Sequence, residues 1–299
     1  MSFRPKKLDE LIGQDHIKHA LRIAIRSAQM RGAALGHCLF SGPPGLGKTT
    51  LAMIMANELG VSIKVANGAT FRSPKNIVPY LVALEPNSIL FIDEIHRMTT
   101  IADEFLYPVM EDFTLNIVAG QDGKDKVINV PIPNFTLIGA TTEAGSLAAP
   151  LRDRFKLKFT LELYDVEPLY QLIQLNSDKI QVKLDEDSMM LLANASRGTP
   201  RIANALLEWV RDFAVATGKA SMTKSDVEQA LAVRRIDPNG LTENDRRYLD
   251  VLKKMDKPIG LKTLSSLLNI ETETIENVIE PFLLRLGLMM RTNKGRVVK

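Results

Sequence analysis

The run Gly42-Pro43-Pro44-Gly45-Leu46-Gly47-Lys48-Thr49 has the spacing of a phosphate-binding loop, G-x-x-x-x-G-K-[ST]. Its glycines let backbone N–H groups turn inward toward phosphate oxygens. The helical pattern that follows, Thr50–Leu59, adds the positive end of a dipole. Lys48 is placed to reach the β- and γ-phosphates, and the Thr49 hydroxyl to ligate Mg²⁺. The apolar run Ile89-Leu90-Phe91-Ile92 ends in Asp93-Glu94. That sets one carboxylate near the metal and the next where it can orient or deprotonate a water. Another apolar run, Phe135–Ala140, ends in Thr141-Thr142, polar groups suited to hold the attacking water or the γ-phosphate. Soon after comes Leu151-Arg152-Asp153-Arg154-Phe155. Its arginines read as a solvated face or, in a ring-forming nucleotidase, as positive charge offered to a neighbouring subunit's γ-phosphate.

The elements that must position these groups follow from the apolar pattern. Between Gly36 and Phe159, short apolar runs at His37–Ser41, Ser62–Ala66, Ile89–Ile92, Phe135–Ala140 and Lys156–Leu161 alternate with helical stretches. Continuous rather than alternating apolar strands predict an α/β unit with a mostly parallel sheet covered on both faces. Beyond Asp165 only helical periodicity remains, at Pro168–Ile180, Asp185–Ala195, Pro200–Thr217 and Lys224–Val233, which predicts a small helical bundle. The turn signal Asp237-Pro238-Asn239-Gly240 marks a boundary. After it come helices near Glu243–Met255, Leu261–Leu268 and Thr272–Leu286, then a hairpin turning at Thr292-Asn293-Lys294-Gly295. Three helices and a β-ribbon make the pattern of a winged helix. The expected domains are 1–166, 167–237 and 238–299.

Composition narrows the function classes. The chain has 299 residues, 45% hydrophobic and 24% charged, which suits a folded protein with two or three domains and argues against disorder. With 38 basic and 35 acidic residues it is no polycation, so a nucleic-acid surface must come from local clustering. One such cluster exists: Leu284–Lys299 carries Arg285, Arg291, Lys294, Arg296 and Lys299 with no acid. A basic wing suits phosphate contact without base reading, and several copies around a ring would be needed for useful affinity. Glu273, Glu276 and Glu280 in the preceding helix are expected to repel phosphate, which makes that helix structural. Cys38 is the single cysteine, so no internal disulfide forms and a reducing compartment is expected. No apolar run is long enough for a membrane span, and the start lacks the apolar stretch of a signal peptide; a cytoplasmic protein with no membrane partner is expected. The four histidines show no ligand spacing with Cys38, and Trp209 reads as core.

With these motifs in place the chain resembles an AAA+ ATPase and, more narrowly, the RuvB family of Holliday-junction branch-migration motors. The resemblance runs nearly end to end. It rests on Arg4-Pro5-Lys6, Leu8-Asp9-Glu10, Ile12-Gly13-Gln14, Gly42–Thr50, Leu90–His96, Leu106-Tyr107-Pro108, Met110–Phe113, Phe135–Thr142, Pro150–Phe155, Asp245-Arg246 and Arg291-Thr292. Arg197–Asn204 and Val210–Ala214 complete the set, and the runs Gly198–Asn204 and Val210–Ala214 narrow it to RuvB. It implies Phe3 and Arg4 near the adenine, with Lys48, Thr49 and Thr50 on phosphate and Mg²⁺. It implies Asp93 and Glu94 as the metal and water carboxylates, Thr142 as first sensor and Arg154 as an arginine finger acting on the neighbour's ATP. Tyr164 becomes a nucleotide contact and Arg201 the second sensor, reporting γ-phosphate state to the helical lid. Glu111, Asp112 and Phe113 fall where the family presents a segment to a neighbour's nucleotide, and Arg291 and Arg296 where its wing touches DNA. The resemblance further implies a homo-oligomer, a hexameric ring on duplex and four-way-junction DNA. It also implies a RuvA-type partner docking on a hairpin at 114–133.

The chain departs from the family pattern at Ala66–Lys75, at the polar hairpin middle Gln121–Lys126, at Glu143 where an Arg is expected, and at Asn293-Lys294 in the wing. Two rival functions share the nucleotide motifs: a clamp-loader-type switch and a DNA-binding scaffold that does not hydrolyse ATP. The winged-helix tail favours a motor over the first, and Glu94, Thr142 and Arg154 together favour hydrolysis over the second.

Overall fold

The structure, a computed structural model, describes residues 3–119, 126–255 and 257–299. The chain divides into two compact units between Tyr164 and Asp165.

The first unit contains α1 (Asp15–Arg31), β1 (Cys38–Ser41), α2 (Lys48–Leu59), β2 (Ile63–Asn67), α3 (Pro74–Val82), β3 (Ile89–Asp93) and α4 (Thr100–Asp112). A hairpin of β4 (Thr114–Ala119) and β5 (Lys126–Pro131) follows, then β6 (Thr136–Thr141), α5 (Ala149–Asp153) and β7 (Leu157–Thr160). Five strands form a parallel sheet in the order β2-β3-β6-β1-β7. The central apolar runs behave as expected, with Ile89, Leu90, Phe91 and Ile92 all fully buried, whereas the edge strands β2 and β7 are partly exposed. Burying each such side chain contributes roughly 1.5–3 kcal/mol. His37 enters β1 buried, its Nε2 2.9 Å from the Met110 carbonyl and its Nδ1 2.9 Å from the Leu137 N–H. Burial pushes its pKa down, which favours the neutral ring that can accept at Nδ1. The hairpin reading at 114–133 holds in its two strands; its tip, 120–125, where the polar departure falls, lies outside the described residues.

In the second unit α6 (Val166–Lys179), α7 (Glu186–Ala195), α8 (Pro200–Thr217) and α9 (Lys224–Val233) form a helical bundle. Pro200 occupies the first helical position of α8 and Gly218 closes it in the left-handed region, the expected start and stop chemistry. Trp209 is half-buried, and its indole N–H donates to the Ala230 carbonyl at 2.7 Å, in keeping with a packing role. Then come α10 (Glu243–Lys254), α11 (Leu261–Leu268) and a wing of β8 (Met289–Thr292) paired with β9 (Gly295–Val298).

The expected helix at Thr272–Leu286 forms without a break but is not regular α-helix throughout. It comprises α12 (Thr272–Thr274), a π-helical turn (Ile275–Ile279) and α13 (Glu280–Arg285). Pro281 supplies the reason. It has no N–H, and in the π register it faces the Glu276 carbonyl; Arg291 Nη2 lies 3.4 Å from that oxygen instead.

Candidate nucleotide site and DNA-binding wing

Strand order builds the nucleotide site. The phosphate loop leaves the end of β1, Asp93 ends β3, and β6 lies between those strands, so Thr141-Thr142 falls between loop and carboxylates. The Gly42 N–H donates to the Thr141 carbonyl at 3.2 Å and fastens the loop to that central strand. Gly42, Gly45 and Gly47 have φ of 130°, 83° and 100°, values that favour glycine. At Gly42 a side chain is also excluded by space, since a Cβ would lie 2.5 Å from the Leu161 carbonyl oxygen. Lys48 is buried, and its Nζ donates to the Gly42 and Pro43 carbonyls at 2.6 and 3.0 Å. Burial pulls its pKa down, opposed by the nearby charges of Glu94 and Asp93. Thr49 and Thr50, both half-buried, follow in the first turn of α2.

The Asp93 carboxyl is pushed up by burial and then by the charge of Glu94; the Glu94 N–H, donating to it at 3.1 Å, and Lys48 pull it back. Glu94 has left-handed backbone, φ 47°. That geometry aims its carboxylate at Thr142, whose hydroxyl and N–H lie 3.2 and 3.4 Å from one Glu94 oxygen. Sequence reasoning therefore anticipated one cluster: Gly42, Gly45, Gly47, Lys48, Asp93, Glu94 and Thr142 converge.

It missed two supports. His96 Nδ1 lies 3.3 Å from the same Glu94 oxygen and 2.9 Å from the Thr141 hydroxyl, with Nε2 3.9 Å from Glu143. Glu143, noted only as a departure, thus faces the Glu94 group through that ring. The second is Gly68, where a Cβ would lie 2.3 Å from the Glu94 carbonyl oxygen. Neither has a motif of its own; only the short turn Ile95–Arg97 and the approach of β2's end reveal them.

The other assigned residues make different contacts. Phe3 is half-buried, and Arg4 Nη1 lies 3.5 Å from Met53 Sδ on α2. Tyr164 is buried and burial pushes its phenol up to about 12. It packs against Gly13, where a Cβ would sit 2.5 Å from its ring. Arg154, Glu111 and Phe113 gather at a separate cavity of about 630 Å³. There Arg154 Nη2 meets Glu111 at 3.1 Å, Nη1 donates to the Pro150 carbonyl at 2.7 Å, and the guanidinium covers the Tyr107 ring at 4.5 Å. Asp112 is exposed beside them, and Arg201 is exposed in the first turn of α8, in the second unit.

The wing differs from expectation in one respect. Glu280 is fully buried and so does not face DNA. It accepts from Arg291 Nε at 2.6 Å, Arg296 Nε at 2.9 Å and the Tyr248 hydroxyl at 2.9 Å, while Arg296 Nη2 meets Glu276 at 3.1 Å. The sequence does not show this because the wing must fold back before the contacts exist. Arg291 keeps 45% of its side chain exposed and Arg296 only 16%, so Arg291 is the more accessible of the two arginines, beside the exposed Lys294 and Lys299.

Family models for the Holliday junction DNA helicase RuvB P-loop domain, the RuvB AAA lid domain and the RuvB C-terminal winged helix domain match residues 3–161, 164–237 and 238–298. The chain belongs to the RuvB family. The Holliday junction branch migration complex subunit RuvB of Rhodopirellula baltica is 44% identical, over 99% of this chain and 82% of that protein. Its counterpart from Prochlorococcus marinus is 46% identical, over 99% and 85%. Among solved structures, the RuvB Holliday junction branch migration motor of Thermotoga maritima superposes with a TM-score of 0.88 at 39% identity, covering 99% of this chain and 95% of that one. RuvB membership accounts for the α/β nucleotide unit, lid and winged helix occurring in one chain.

Proposed function

We propose that the protein is an ATP-driven motor that moves Holliday junctions along DNA during recombination and repair, hydrolysing ATP at the boundaries between subunits of a ring. The observation that carries this reading is the convergence of Lys48, Asp93, Glu94 and Thr142 at the adjoining ends of β1, β6 and β3. The glycine-lined loop fits a triphosphate, and Thr49 with Asp93 offers two oxygen ligands, a number suited to a Mg²⁺ ion that keeps waters and phosphate oxygens. Bound there, Mg²⁺ would neutralise charge on the β- and γ-phosphates. Glu94, held by Thr142, orients a water toward the γ-phosphorus; the bond from that phosphorus to the bridging oxygen breaks, leaving ADP and phosphate. Phe3, Arg4, Thr50 and Tyr164 act on the nucleotide of their own subunit, Glu111, Asp112, Phe113 and Arg154 on a neighbour's, and Arg201 as the phosphate sensor of the lid.

The hairpin at 114–133 is proposed to dock a RuvA-type partner, supported by the half-exposed Ile128 on its second strand. Among the described residues no helix is long and apolar enough to cross a membrane, and work on DNA in the cytoplasm is the proposed setting. The test is ATPase rate and junction displacement with duplex and four-way-junction DNA, alone and with a RuvA-type partner. Stimulation by DNA with ATP-dependent displacement is expected; ATP hydrolysis indifferent to every DNA would refute the motor. In the same assay Arg291→Ala, alone or with Arg296→Ala, weakens binding by a similar factor on all duplex sequences. The salt slope falls by about 1 for each phosphate no longer neutralised. Weakening on one sequence only would contradict a phosphate-reading wing.

A further inference from the structure

We propose that Arg197 is a positioning residue that pins the lid helices to the winged helix, making the second unit one rigid lever. This rests on the motor reading above but concerns a contact that reading does not use.

Arg197 lies in the short connection between α7 and α8, four residues before Arg201. Its side chain crosses to the winged helix and meets three groups there. Nη1 lies 3.0 Å and Nη2 3.4 Å from the two carboxylate oxygens of Asp245 in α10. Nη2 also donates to the Val278 carbonyl in the π-helical turn at 3.2 Å. The guanidinium plane covers the Phe282 ring at 4.0 Å. Asp245 is fully buried, and Arg197 is 12% exposed.

Such a pair is unlike a surface ion pair. Withdrawing the arginine would leave a buried carboxylate without its countercharge, so the contact resists opening. Asp245 also accepts from the Thr242 N–H and hydroxyl at 2.7 and 2.6 Å, which caps α10. Arg197 therefore grips a helix end that is itself fixed. The planar fork matters: two nitrogens on one carboxylate and a flat face on an aromatic ring set orientation as well as distance.

Backbone geometry ties the pin to α8. Arg197 and Gly198 are successive residues in the left-handed region, φ 55° and 76°. A non-glycine residue holds that conformation when its surroundings over-determine it. Thr199 then caps the start of α8, which places Arg197 two residues before that cap.

The covalent linker between the subdomains offers no loose hinge. Asp237 accepts from the Asn239 and Leu241 N–H groups at 3.0 and 2.8 Å. Arg246 donates to the Leu241 and Arg235 carbonyls at 2.9 and 2.7 Å. At Gly240, φ 84°, a Cβ would lie 2.6 Å from the Ala195 carbonyl oxygen, so the linker lies flat on the end of α7. Lid and winged helix are thus joined on two sides, and the Arg197 side chain supplies one of them.

The test measures rigidity and coupling separately in the full-length protein. Spin labels go on Val215→Cys in the lid and Leu267→Cys in the winged helix, both exposed, with Cys38 buried and shielded from the reagent. Pulsed-dipolar distance distributions are recorded with ADP and with a non-hydrolysable ATP analogue. The parent is expected to give one narrow distribution, the same in both states. Arg197→Ala broadens it, and Arg197→Lys, which keeps the charge but not the fork or the flat face, broadens it less. In parallel, Arg197→Ala keeps ATPase activity within about twofold while junction displacement per ATP falls about tenfold, a change within the usual range of coupling between sites. The proposal is overturned if the parent distance shifts with nucleotide, if both variants keep the narrow distribution, or if ATPase falls in step with displacement. A parent that hydrolyses ATP without moving junctions would refute the motor reading alone, and the distances would still decide the pin.

Discussion

Glu94→Gln is expected to bind ATP as the parent does and to turn over about 10²- to 10⁴-fold more slowly, the range for a positioned general base. The amide has the same size and keeps an oxygen for the Thr142 hydroxyl and N–H, which lie 3.2 and 3.4 Å from the carboxylate. The left-handed turn at Glu94 and its approach to Gly68 are properties of the backbone and persist. Lys48 and Asp93 are untouched, so phosphate binding survives. What disappears is the capacity to accept a proton from the attacking water. Fluorescent-nucleotide titration and single-turnover hydrolysis separate the two effects. Parent-like turnover would remove Glu94 from the chemistry.

Arg154→Ala carries the other large effect. Its guanidinium is held by the Glu111 carboxylate, the Pro150 carbonyl and the Tyr107 ring, at the cavity away from the Lys48 cluster. If it serves the nucleotide of the next subunit, removal spares binding and lowers turnover by about 10³- to 10⁵-fold, the range for an arginine finger. Arg154→Lys should rescue little, because an ammonium cannot present the same planar fork. Steady-state ATPase of assembled rings is the measurement, and a residual rate above roughly a tenth of the parent's would contradict a finger role.

The nucleotide unit was legible because its central strands β1, β3 and β6 are buried and read as unbroken apolar runs, and because the phosphate loop and the Asp93-Glu94 pair have local spacing. Helix limits at Pro200–Thr217, Lys224–Val233 and Leu261–Leu268 followed from periodicity and punctuation. The failures share a cause. His96 beside Glu94, Glu111 on Arg154 and Glu280 beneath both wing arginines are pairs made by tertiary closure, and no spacing encodes them. Glu280 is the sharpest case. A carboxylate in a helix next to a basic wing reads as repulsion to phosphate, yet it is buried and holds the arginines by their Nε atoms. Pro281 was visible, but the approach of Arg291 to the Glu276 carbonyl, at 3.4 Å, was not.

Mixing Lys48→Ala with Arg154→Ala protomers asks most directly whether ATP is cleaved between two copies of the chain. Each variant alone is expected to be inactive. In equal mixture roughly a quarter of the subunit boundaries of a head-to-tail ring pair an intact Lys48 with a neighbour's intact Arg154. Recovery of ATPase in that mixture is the predicted result. Mixed rings shown by native mass spectrometry to have assembled, yet hydrolysing no more ATP than the separate variants, would contradict it.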